Sequence, residues 1–323
     1  MIRISVLILF SVVLPVILKT TDQSFYISFA SRILIYALAA TSLNLVLGYG
    51  GMVSFGHAAF VGAGAYASSI LLAEGVTSAW IGWPAAALAA GLAALAVGAI
   101  SLRTRGVYFI MITLAFAQMA FYLVNSMKAY GGDEGLTLPA RATLLPGLDL
   151  GDDLVFYYVT LVLLALAIYA LHRLAGSRFG RMLVAVRENE ARAEALGFPT
   201  YRCRLAAFAI AGAAAGLAGA LLASHGKYVN PNVLNWTQSG TLLVMVILGG
   251  VGRLWGGVLG AAALLLLEHV MAEVRIGWLA ALAPDYQQHA ALGVGLVLLA
   301  VVLFAPQGIA GLAARARRAP GDA

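Results

Sequence analysis

The chain has 323 residues, of which 62% are hydrophobic and only 11% are charged, and its mean hydropathy is +0.92. A soluble globular domain is about 45–50% apolar and about 25% charged, so the composition excludes an ordinary soluble enzyme and indicates a polytopic membrane protein. The net charge of +6 then reports loop orientation rather than nucleic-acid binding. The single cysteine, Cys203, excludes an internal disulfide, and the sequence offers too few ligands for a Cys/His metal site.

Ten stretches of the sequence are apolar and approach the length of about 20 residues that a helix needs to cross a bilayer. The sequence therefore predicts an all-α, polytopic membrane protein with about ten transmembrane helices. In the first stretch Arg3 precedes an apolar run, as in a secretory signal, but no small-x-small cleavage site follows, so we expect the helix to be retained. The eighth stretch is short and adjoins the ninth through glycines, so nine spans remain an alternative. The predicted spans cover residues 2–18, 26–47, 52–72, 80–102, 107–127, 154–171, 205–224, 237–249, 254–274 and 288–304.

The distribution of basic residues predicts that both termini are cytoplasmic, because Lys and Arg accumulate in cytoplasmic loops. With ten spans, 14 basic residues fall inside and 5 fall outside, and nine spans would place one arginine-rich block on the wrong side. The inside set is Arg3, Arg103, Arg105, Arg173, Arg178, Arg181, Arg187, Arg192, Arg202, Arg204, Arg253, Arg315, Arg317 and Arg318, and the outside set is Lys19, Lys128, Arg141, Lys227 and Arg275.

One long segment, residues 172–204, lies between spans on the predicted cytoplasmic side and carries seven arginines and three glutamates. Its local chemistry predicts a short helix. Asn189 is a good N-cap, and Glu190 follows in the first turn, where an acidic side chain favours the helix dipole. Gly197 supplies the left-handed residue that closes a helix, and Pro199 prevents its continuation.

Two interpretations of this segment are open. Its arginines fit a linker at the surface of anionic lipid. A purely lipid-facing helix shows a broad apolar face with basic flanks, whereas this one mixes Glu190, Arg192 and Glu194 with small alanines, which favours docking into a groove of a cytoplasmic protein. Glu188 and Arg192 stand four residues apart, in the order that favours an ion pair on one helix face.

A block dense in glycine, alanine and serine runs from the end of the second predicted span into the third. Gly56, Gly62 and Gly64 permit close approach of helices, or a break in a helix where the backbone lines a cavity. Ser54 and His57 add polar groups near its inner end. The block fits either helix packing around a hydrogen-bonded histidine or part of a transport pathway. No carboxylate or nucleophile is placed with His57, which argues against acid–base catalysis.

A second glycine-rich stretch joins the eighth and ninth predicted spans. Gly252, Gly256 and Gly260 are spaced by four, which predicts that they share one helix face, as in small-xxx-small packing. Arg253 lies within this run at the cytoplasmic end, so we expect a tight helical hairpin there. Packing within the chain and contact with a partner subunit are equally compatible with it. The glycines of this stretch are Gly249, Gly250, Gly252, Gly256, Gly257 and Gly260.

Three ionisable side chains fall inside predicted spans. Arg32 lies about two turns inside the second span and can snorkel outward, whereas Glu268 and His269 lie near the outer end of the ninth. Charge within a span is a functional hypothesis by default, although a proton-coupled carrier usually places such groups near the membrane midplane. Asn44, Gln118, Asn125 and Gln238 fit either a polar path or hydrogen bonds between helices.

Five blocks of the sequence, taken together and in their order along the chain, allow comparison with known protein families. They are LNLVLGYGGMVSFGHAAFVGAGAY from Leu43, RTRGVYFIMITLAFAQM from Arg103, GGDEGL from Gly131, SRFGRMLVAVRENEARAEALGF from Ser177 and LLVMVILGGVGRLWGGVLGA from Leu242. These blocks resemble the signature blocks of permeases from branched-chain amino-acid ABC importers, and the LivM-type subunit more than its LivH-type partner. The resemblance covers roughly residues 30–310, and five blocks in one order are more specific than any single one.

The resemblance implies a multi-pass permease subunit of the bacterial inner membrane, which pairs with a second related permease, two cytoplasmic ATP-binding subunits and an extracytoplasmic substrate-binding protein. Residues 187–197 then resemble the coupling helix that sits in a cleft of the ATPase. Many ABC importers have Glu-Ala-Ala with glycine six residues after the Glu, but Glu190 lies seven before Gly197, which matches this subfamily's ENE-x-x-AEALG pattern better. The implied coupling residues are Arg187, Glu188, Asn189, Glu190, Arg192, Glu194 and Gly197.

We expect no cofactor in this chain, with ATP and magnesium bound by the partner ATPase subunits. A P-loop needs GxxxxGK followed by Ser or Thr, but the Gly226-Lys227 pair is followed by Tyr228 and has Leu221 in place of the first glycine. Membrane lipid is an expected partner, and nucleic acid is not. Candidate pathway and packing residues are Asn44, Ser54, Gly56, His57, Gly62, Gly64, Gln118, Gly249, Gly250, Gly252 and Gly256.

The leading hypothesis is one transmembrane permease domain over residues 1–312, with the coupling segment at 172–204 and a basic cytoplasmic tail at 313–323. It would import branched-chain or related amino acids by alternating access, receiving them at an outer face that includes the acidic loop 128–153. Because a permease makes no covalent bond, we expect no catalytic residues and no metal. Permeases for urea, short amides or another small solute remain an alternative. An ion-coupled secondary carrier and a membrane scaffold without transport are the alternatives from other classes.

Overall fold

A computed structural model describes residues 24–144, 150–273, 290–304 and 307–315, and this part of the chain is mostly helical. The predicted first span, residues 2–18, lies outside the described residues. A π-helical turn, Leu45–Tyr49, extends the first helix, and the short strands β1 (Leu136–Thr137) and β2 (Tyr228–Val229) pair in antiparallel fashion. The helices are α1 Ser24–Asn44, α2 His57–Ala73, α3 Ala79–Ser101, α4 Val107–Ser126, α5 Asp153–Gly176, α6 Arg178–Glu188, α7 Glu190–Ala195, α8 Thr200–Gly226, α9 Trp236–Gly249, α10 Leu254–Glu273, α11 Ala290–Phe304 and α12 Gly308–Arg315.

Six helices of the described part are long and apolar enough to cross a membrane. They are α1 with its π turn, α3, α4, α5, α8 and α10, while α2, α9 and part of α11 are apolar but shorter. Most predicted spans agree with these helices to within one or two turns. The third, residues 52–72, requires correction: α2 begins only at His57, because the preceding glycine-rich residues are not helical.

Loops that the sequence assigns to opposite sides of a membrane lie at opposite ends of the bundle. At one end, which we call the α6–α7 end, an Arg187 N–H of α6 donates to the carbonyl of Gly48 after α1. At the other, which we call the sheet end, the Ala79 N–H donates to the Thr143 carbonyl at 2.8 Å, near the β1–β2 pair. At each end, therefore, loops that the sequence assigns to the same side of a membrane contact one another in the described chain.

Helix α8 forms the centre of the packing, where it crosses α2 and α3 at glycines. A Cβ on Gly64 of α2 would strike the backbone of Gly216 on α8, and a Cβ on Gly216 would strike the Ala90 side chain of α3. Gly212, one turn earlier on α8, meets Ala94 in the same way. Backbones approach this closely only where both surfaces carry small residues. Gly212 and Gly216 have the same small-xxx-small spacing as Gly252, Gly256 and Gly260. This spacing on α8 therefore indicates a close helix crossing that was not predicted from the sequence.

The outer loop that the sequence predicts to be acidic is anchored by Arg141, whose side chain is only 6% exposed. Its Nη2 lies 2.6 Å from Asp153 Oδ1, Nη1 donates to the Leu150 carbonyl at 2.9 Å and Nε donates to the Ser224 carbonyl at 3.2 Å. The guanidinium also lies 4.6 Å from the centroid of the Phe156 ring. A buried arginine with carboxylate and carbonyl partners holds two elements in a fixed geometry, so this loop is joined to the ends of α5 and α8.

The last described helix, α12, packs against the loop between α9 and α10. Gly308 has a φ of +67° and approaches the backbone of Gly249 and Gly250 closely. The boundary predicted between residues 312 and 313 falls inside this helix, so the first residues assigned to the tail are helical.

Replacing Gly216 by alanine should destabilise the fold by about 1–3 kcal/mol, because an added methyl group at a helix crossing causes overpacking. Its Cβ would lie 2.7 Å from the Ala86 carbonyl oxygen. Gly226→Ala on the same helix is the matched control, since its Cβ would meet nothing within 4 Å. Thermal unfolding followed by fluorescence-detected size exclusion should show a lower melting temperature for Gly216→Ala alone. Equal melting temperatures for the two variants would contradict this packing.

Candidate functional site

The arginine-rich segment folds into two helices rather than one. Helix α6 ends at Glu188, and Asn189 is extended, with φ −156° and ψ 99°. The Asn189 side chain accepts from the Arg192 N–H at 2.9 Å and caps α7, while Gly197 follows with φ +83°. The cap and the stop predicted from the sequence are therefore present. Glu188 and Arg192 lie on different helices, so the prediction that they pair along one helix face was wrong.

Helix α6 was not predicted, although its sequence carries the signals of an amphipathic helix. Ser177 accepts from the Gly180 N–H at 3.3 Å and caps its start. Gly180, Leu183 and Val186, spaced by three, are the buried positions. Arg187 and Glu188 belong to the end of this helix, which means that the predicted coupling residues are divided between α6 and α7.

The carboxylate of Glu190 is directed toward its own chain. It pairs with Arg204 at the start of α8, and its Oε2 lies 3.3 Å from Arg105 Nε in the loop between α3 and α4. One turn later Glu194 accepts a hydrogen bond from the Thr200 hydroxyl at 2.8 Å. These contacts hold α7 against the bundle, so Glu190 and Glu194 position the helix.

The opposite face of α7 and the turn after it are open. Ala193 is buried, whereas Arg192 is exposed. Leu196 is 70% exposed and Phe198 is 42% exposed at the tip of the segment. Exposed apolar surface of this kind occurs at sites of protein or membrane contact.

Asn44, at the end of α1, joins α1 to the loop between α9 and α10. Its Oδ1 accepts from the Gly252 N–H at 2.9 Å, and its Nδ2 donates to the Arg253 carbonyl at 2.6 Å. Gly48 lies against the same loop, since a Cβ there would strike the backbone of Gly252. We call Asn44, Gly48, Arg187 and Gly252 the junction, because Arg187 of α6 reaches the Gly48 carbonyl at this point. Asn44 therefore makes hydrogen bonds from α1 to the loop between α9 and α10.

The second glycine stretch forms the predicted hairpin, with one correction. Gly252 has a φ of +78° and precedes α10, so it does not share a helix face with Gly256 and Gly260. Those two pack within the chain, because a Cβ on Gly249 would strike the Gly256 carbonyl. Gly250, with φ +114°, supplies the turn, where L side chains are strongly disfavoured.

The stretch between the π turn and α2 is non-helical and lies partly at membrane depth. Gly51 has a φ of +66° and lies against the Arg187 side chain. At the other end the Ala58 N–H donates to the Ser239 hydroxyl of α9 at 2.9 Å. Ser239 is ten residues before the end of α9, about 15 Å along the helix axis. Residues 51–56 therefore extend from the junction into the part of the bundle that the sequence places within the membrane.

Side chains replace the missing helical hydrogen bonds of this stretch. The Phe55 N–H donates to the Thr113 hydroxyl at 3.2 Å, and the Gly56 N–H donates to the Ser54 hydroxyl at 3.2 Å. Fully buried His57 lies with Nε2 2.8 Å from the Ser42 hydroxyl. Non-helical backbone at membrane depth is tolerated where protein buries it or where it lines a cavity, and both interpretations of the glycine block apply here.

The remaining candidate residues are dispersed. Gly62 lies under Leu234, just before α9, and Gly64 lies at the crossing with α8. Gln118 is half-buried on α4. Gln238 lines a small cavity of about 40 Å³ between α1, α2, α8 and α9 together with Tyr36. Among the described residues, no group of three or more His, Cys, Asp and Glu side chains is placed to hold a metal ion.

A family described as "Branched-chain amino acid transport system / permease component" matches residues 25–306. The chain belongs to this permease family. Membership confirms the resemblance inferred from the five sequence blocks, and no solved structure matches the chain significantly.

Relatives of this permease cover most of its length. It is 28% identical over 306 residues to the high-affinity branched-chain amino acid transport system permease protein LivM of Escherichia coli K12, covering 88% of this chain and 69% of the relative. It is 24% identical to LivH of Salmonella typhimurium and 26% identical to BraD of Pseudomonas aeruginosa, each covering 85% of this chain and 91% of the relative. Their names describe permease proteins of transport systems.

Replacing Glu190 by glutamine should loosen α7 of this permease, because the carboxylate accepts from two arginines through its two oxygens, whereas the neutral amide keeps one acceptor oxygen and forms no ion pair. A weakening of about 1 kcal/mol implies about fivefold faster tryptic cleavage after Arg192. Fragment mass spectrometry on the purified chain measures this rate. Exposed Glu188, replaced by glutamine, is the matched control and should leave it unchanged. An unchanged rate in Glu190→Gln would contradict the anchoring role.

Proposed function

We propose that the chain is the LivM-type permease subunit of an ATP-driven ABC importer for branched-chain or related amino acids in the bacterial inner membrane. It would have ten spans with both termini cytoplasmic. The observation that carries the proposal is the α6–α7 segment, which ends in an exposed apolar tip at Leu196 and Phe198 and reaches the π turn through Arg187. The π turn leads into residues 51–73, which are non-helical as far as Gly56 and which we call the broken span. Family membership and the names of the relatives LivM, LivH and BraD support the class of system.

The partner at the tip is a cytoplasmic ATP-binding subunit. Leu196 and Phe198 offer an apolar contact, and Arg192 offers a positive charge beside it. A complete importer would contain two such ATPase subunits, which bind ATP and magnesium, and a second related permease. Because Glu190 and Glu194 are bound within the chain, the docking contacts fall mainly on Arg192, Leu196 and Phe198.

Movement of the tip would reach the membrane through two connections. Glu190 ties α7 to α8 through Arg204. Arg187 ties α6 to the carbonyl of Gly48, at the end of the π turn. A displacement of α7 by the ATPase that carries α6 with it would therefore pull, through Arg187, on the backbone between α1 and the broken span. Discontinuous helices are the elements that transporters use to line and gate a pathway.

The pathway would pass along residues 51–56 and the start of α9. Val53 is 36% exposed and Trp236 is 39% exposed. The rings of Phe55 and Trp236 lie 6.3 Å apart, which joins the two shorter apolar helices α2 and α9 at their beginnings. At the sheet end, the loop held by Arg141 would receive substrate from an extracytoplasmic binding protein.

The importer should take up labelled leucine, isoleucine or valine only when ATP and the binding protein are both present. The test uses proteoliposomes that contain the full complex, loaded with ATP or with a non-hydrolysable analogue. Unlabelled urea and acetamide should fail to compete. Uptake that survives ATP depletion and collapses with an ionophore would instead identify an ion-coupled carrier.

Replacing Leu196 by aspartate should prevent the ATPase from binding, because it puts a charge into an apolar contact. The amount of ATPase that copurifies with the tagged permease should fall about tenfold or more, as for a central apolar contact. Leu196→Met preserves the apolar surface and should retain it. Since Leu196 is 70% exposed, both variants should insert and melt like the original chain. Full copurification with Leu196→Asp would place the docking site elsewhere.

A further inference from the structure

A cavity of about 360 Å³ lies near the sheet end, between α1, α8 and α10. It is separate from the junction and from residues 51–56. Its volume falls within the range of about 300–1,000 Å³ that is usual for small-molecule sites. Ionisable side chains enter it from all three helices: Arg32 from α1, His225 from α8, and Glu268, His269 and Glu273 from α10.

Contacts between the helices fix the shape of this cavity. His225 Nε2 lies 3.0 Å from both the hydroxyl and the carbonyl oxygen of Ser28, which ties α8 to α1. The rings of Phe29 and Phe25 lie 4.9 Å and 5.7 Å from the ring of His269, which ties α1 to α10. Among the described residues, the site is therefore bounded by packed helices.

Arg32 and Glu268 bring opposite charges into the cavity from two facing helices. Arg32 lies eight residues into α1, about 12 Å along its axis. Arg32 and Glu268 both line the cavity, and both are exposed. Ionised groups within membrane spans are costly and usually mark a functional site.

We propose that this cavity binds a zwitterion, with its oxyanion group on Arg32 and its primary ammonium on Glu268. A simple anion would meet the carboxylates of Glu268 and Glu273, and a simple cation would meet the guanidinium. A ligand with both charges complements both sides. The guanidinium donates paired N–H bonds to a carboxylate or phosphate, and the Glu268 carboxylate accepts N–H bonds from the ammonium.

Two ligands share this chemistry. One is a free amino acid, for which the cavity would be a subsite on the outer side of the permease. Binding of a free amino acid rests on the proposed transport function. The other is an ethanolamine phospholipid, whose phosphate and ammonium would occupy the same two side chains. Its acyl chains would then follow exposed apolar residues beside the cavity, such as Phe25 and Leu266. The lipid source does not depend on what the protein transports.

Binding to the purified full-length chain, with the subunits that it retains, tests the proposal without ATP or binding protein. Labelled leucine is compared with isopentylamine and 4-methylpentanoate, which each lack one of its charges. Phosphatidylethanolamine retained in native mass spectrometry is compared with phosphatidylcholine, which has no ammonium N–H, and with phosphatidylglycerol, which has no amine. Leucine should bind about tenfold more tightly than isopentylamine and 4-methylpentanoate, or phosphatidylethanolamine about tenfold more tightly than phosphatidylcholine and phosphatidylglycerol, because a lost charge-assisted bond has about that effect.

Arg32→Gln and Glu268→Gln should each remove this preference, whereas Glu74→Gln, in an exposed loop outside the cavity, should leave it unchanged. Arg32→Lys and Glu268→Asp keep the charges and should retain part of the binding, which separates a ligand role from a folding role. Because the wild-type comparison needs no variant, a misfolded variant does not leave the proposal untested.

Each result of these binding measurements supports or contradicts the proposed zwitterion site. Preference for leucine identifies an amino-acid subsite, and preference for phosphatidylethanolamine identifies a lipid headgroup site. Failure of branched-chain uptake combined with zwitterion binding would overturn the proposed transport function but not this site. If neither leucine nor phosphatidylethanolamine binds more tightly than its two comparison ligands, or if Arg32→Gln and Glu268→Gln bind as the wild type does, the cavity is not a site for a zwitterion with a primary ammonium.

Discussion

The two hydrogen bonds of Asn44 are the interaction on which the rest of the α6–α7 end depends. They satisfy the N–H of Gly252 and the carbonyl of Arg253 in a loop between two apolar helices. Both residues are partly buried, and an unsatisfied buried backbone group costs about 1–3 kcal/mol. With this loop fixed against α1, the close packing of α9 on α10 at Gly249 follows, because any shift would drive backbone into backbone.

The same constraint explains how a non-helical segment persists inside the membrane. Residues 51–56 lack an internal ladder of hydrogen bonds, so hydroxyls from other helices take its place. Thr113 of α4 accepts from Phe55, and Ser239 of α9 accepts from Ala58. The broken span is therefore held by α4 and α9 together, and neither can move far without leaving a donor unpaired. The segment with these two supports also contacts α6, because Gly51 lies against the Arg187 side chain at the junction.

Helix caps and stops that depend on neighbouring residues could be predicted from the sequence. Contacts between residues far apart in the sequence could not. The cap at Asn189 and the stop at Gly197 depend on residues within one turn, and the structure contains both. The start of α2 depends on Ser239, more than 180 positions away, so an apolar run alone placed it too early. Gly252 shows the same limit: its spacing fits a helix face, but its bond to Asn44 and its positive φ hold it in the turn.

The basic residues show why charge patterns in such a chain have more than one meaning. Arg187, Arg204 and Arg105 were counted as evidence of cytoplasmic loops, and the orientation argument treats them as interchangeable charges. In the structure each has a specific acceptor: Gly48 for Arg187, and Glu190 for the other two. Lysine at these positions would preserve the orientation signal but would lose the rigid, multi-donor geometry of the guanidinium. At positions 187 and 204, arginine rather than lysine is therefore explained by the bonds that position α6 and α7, and not by membrane orientation alone.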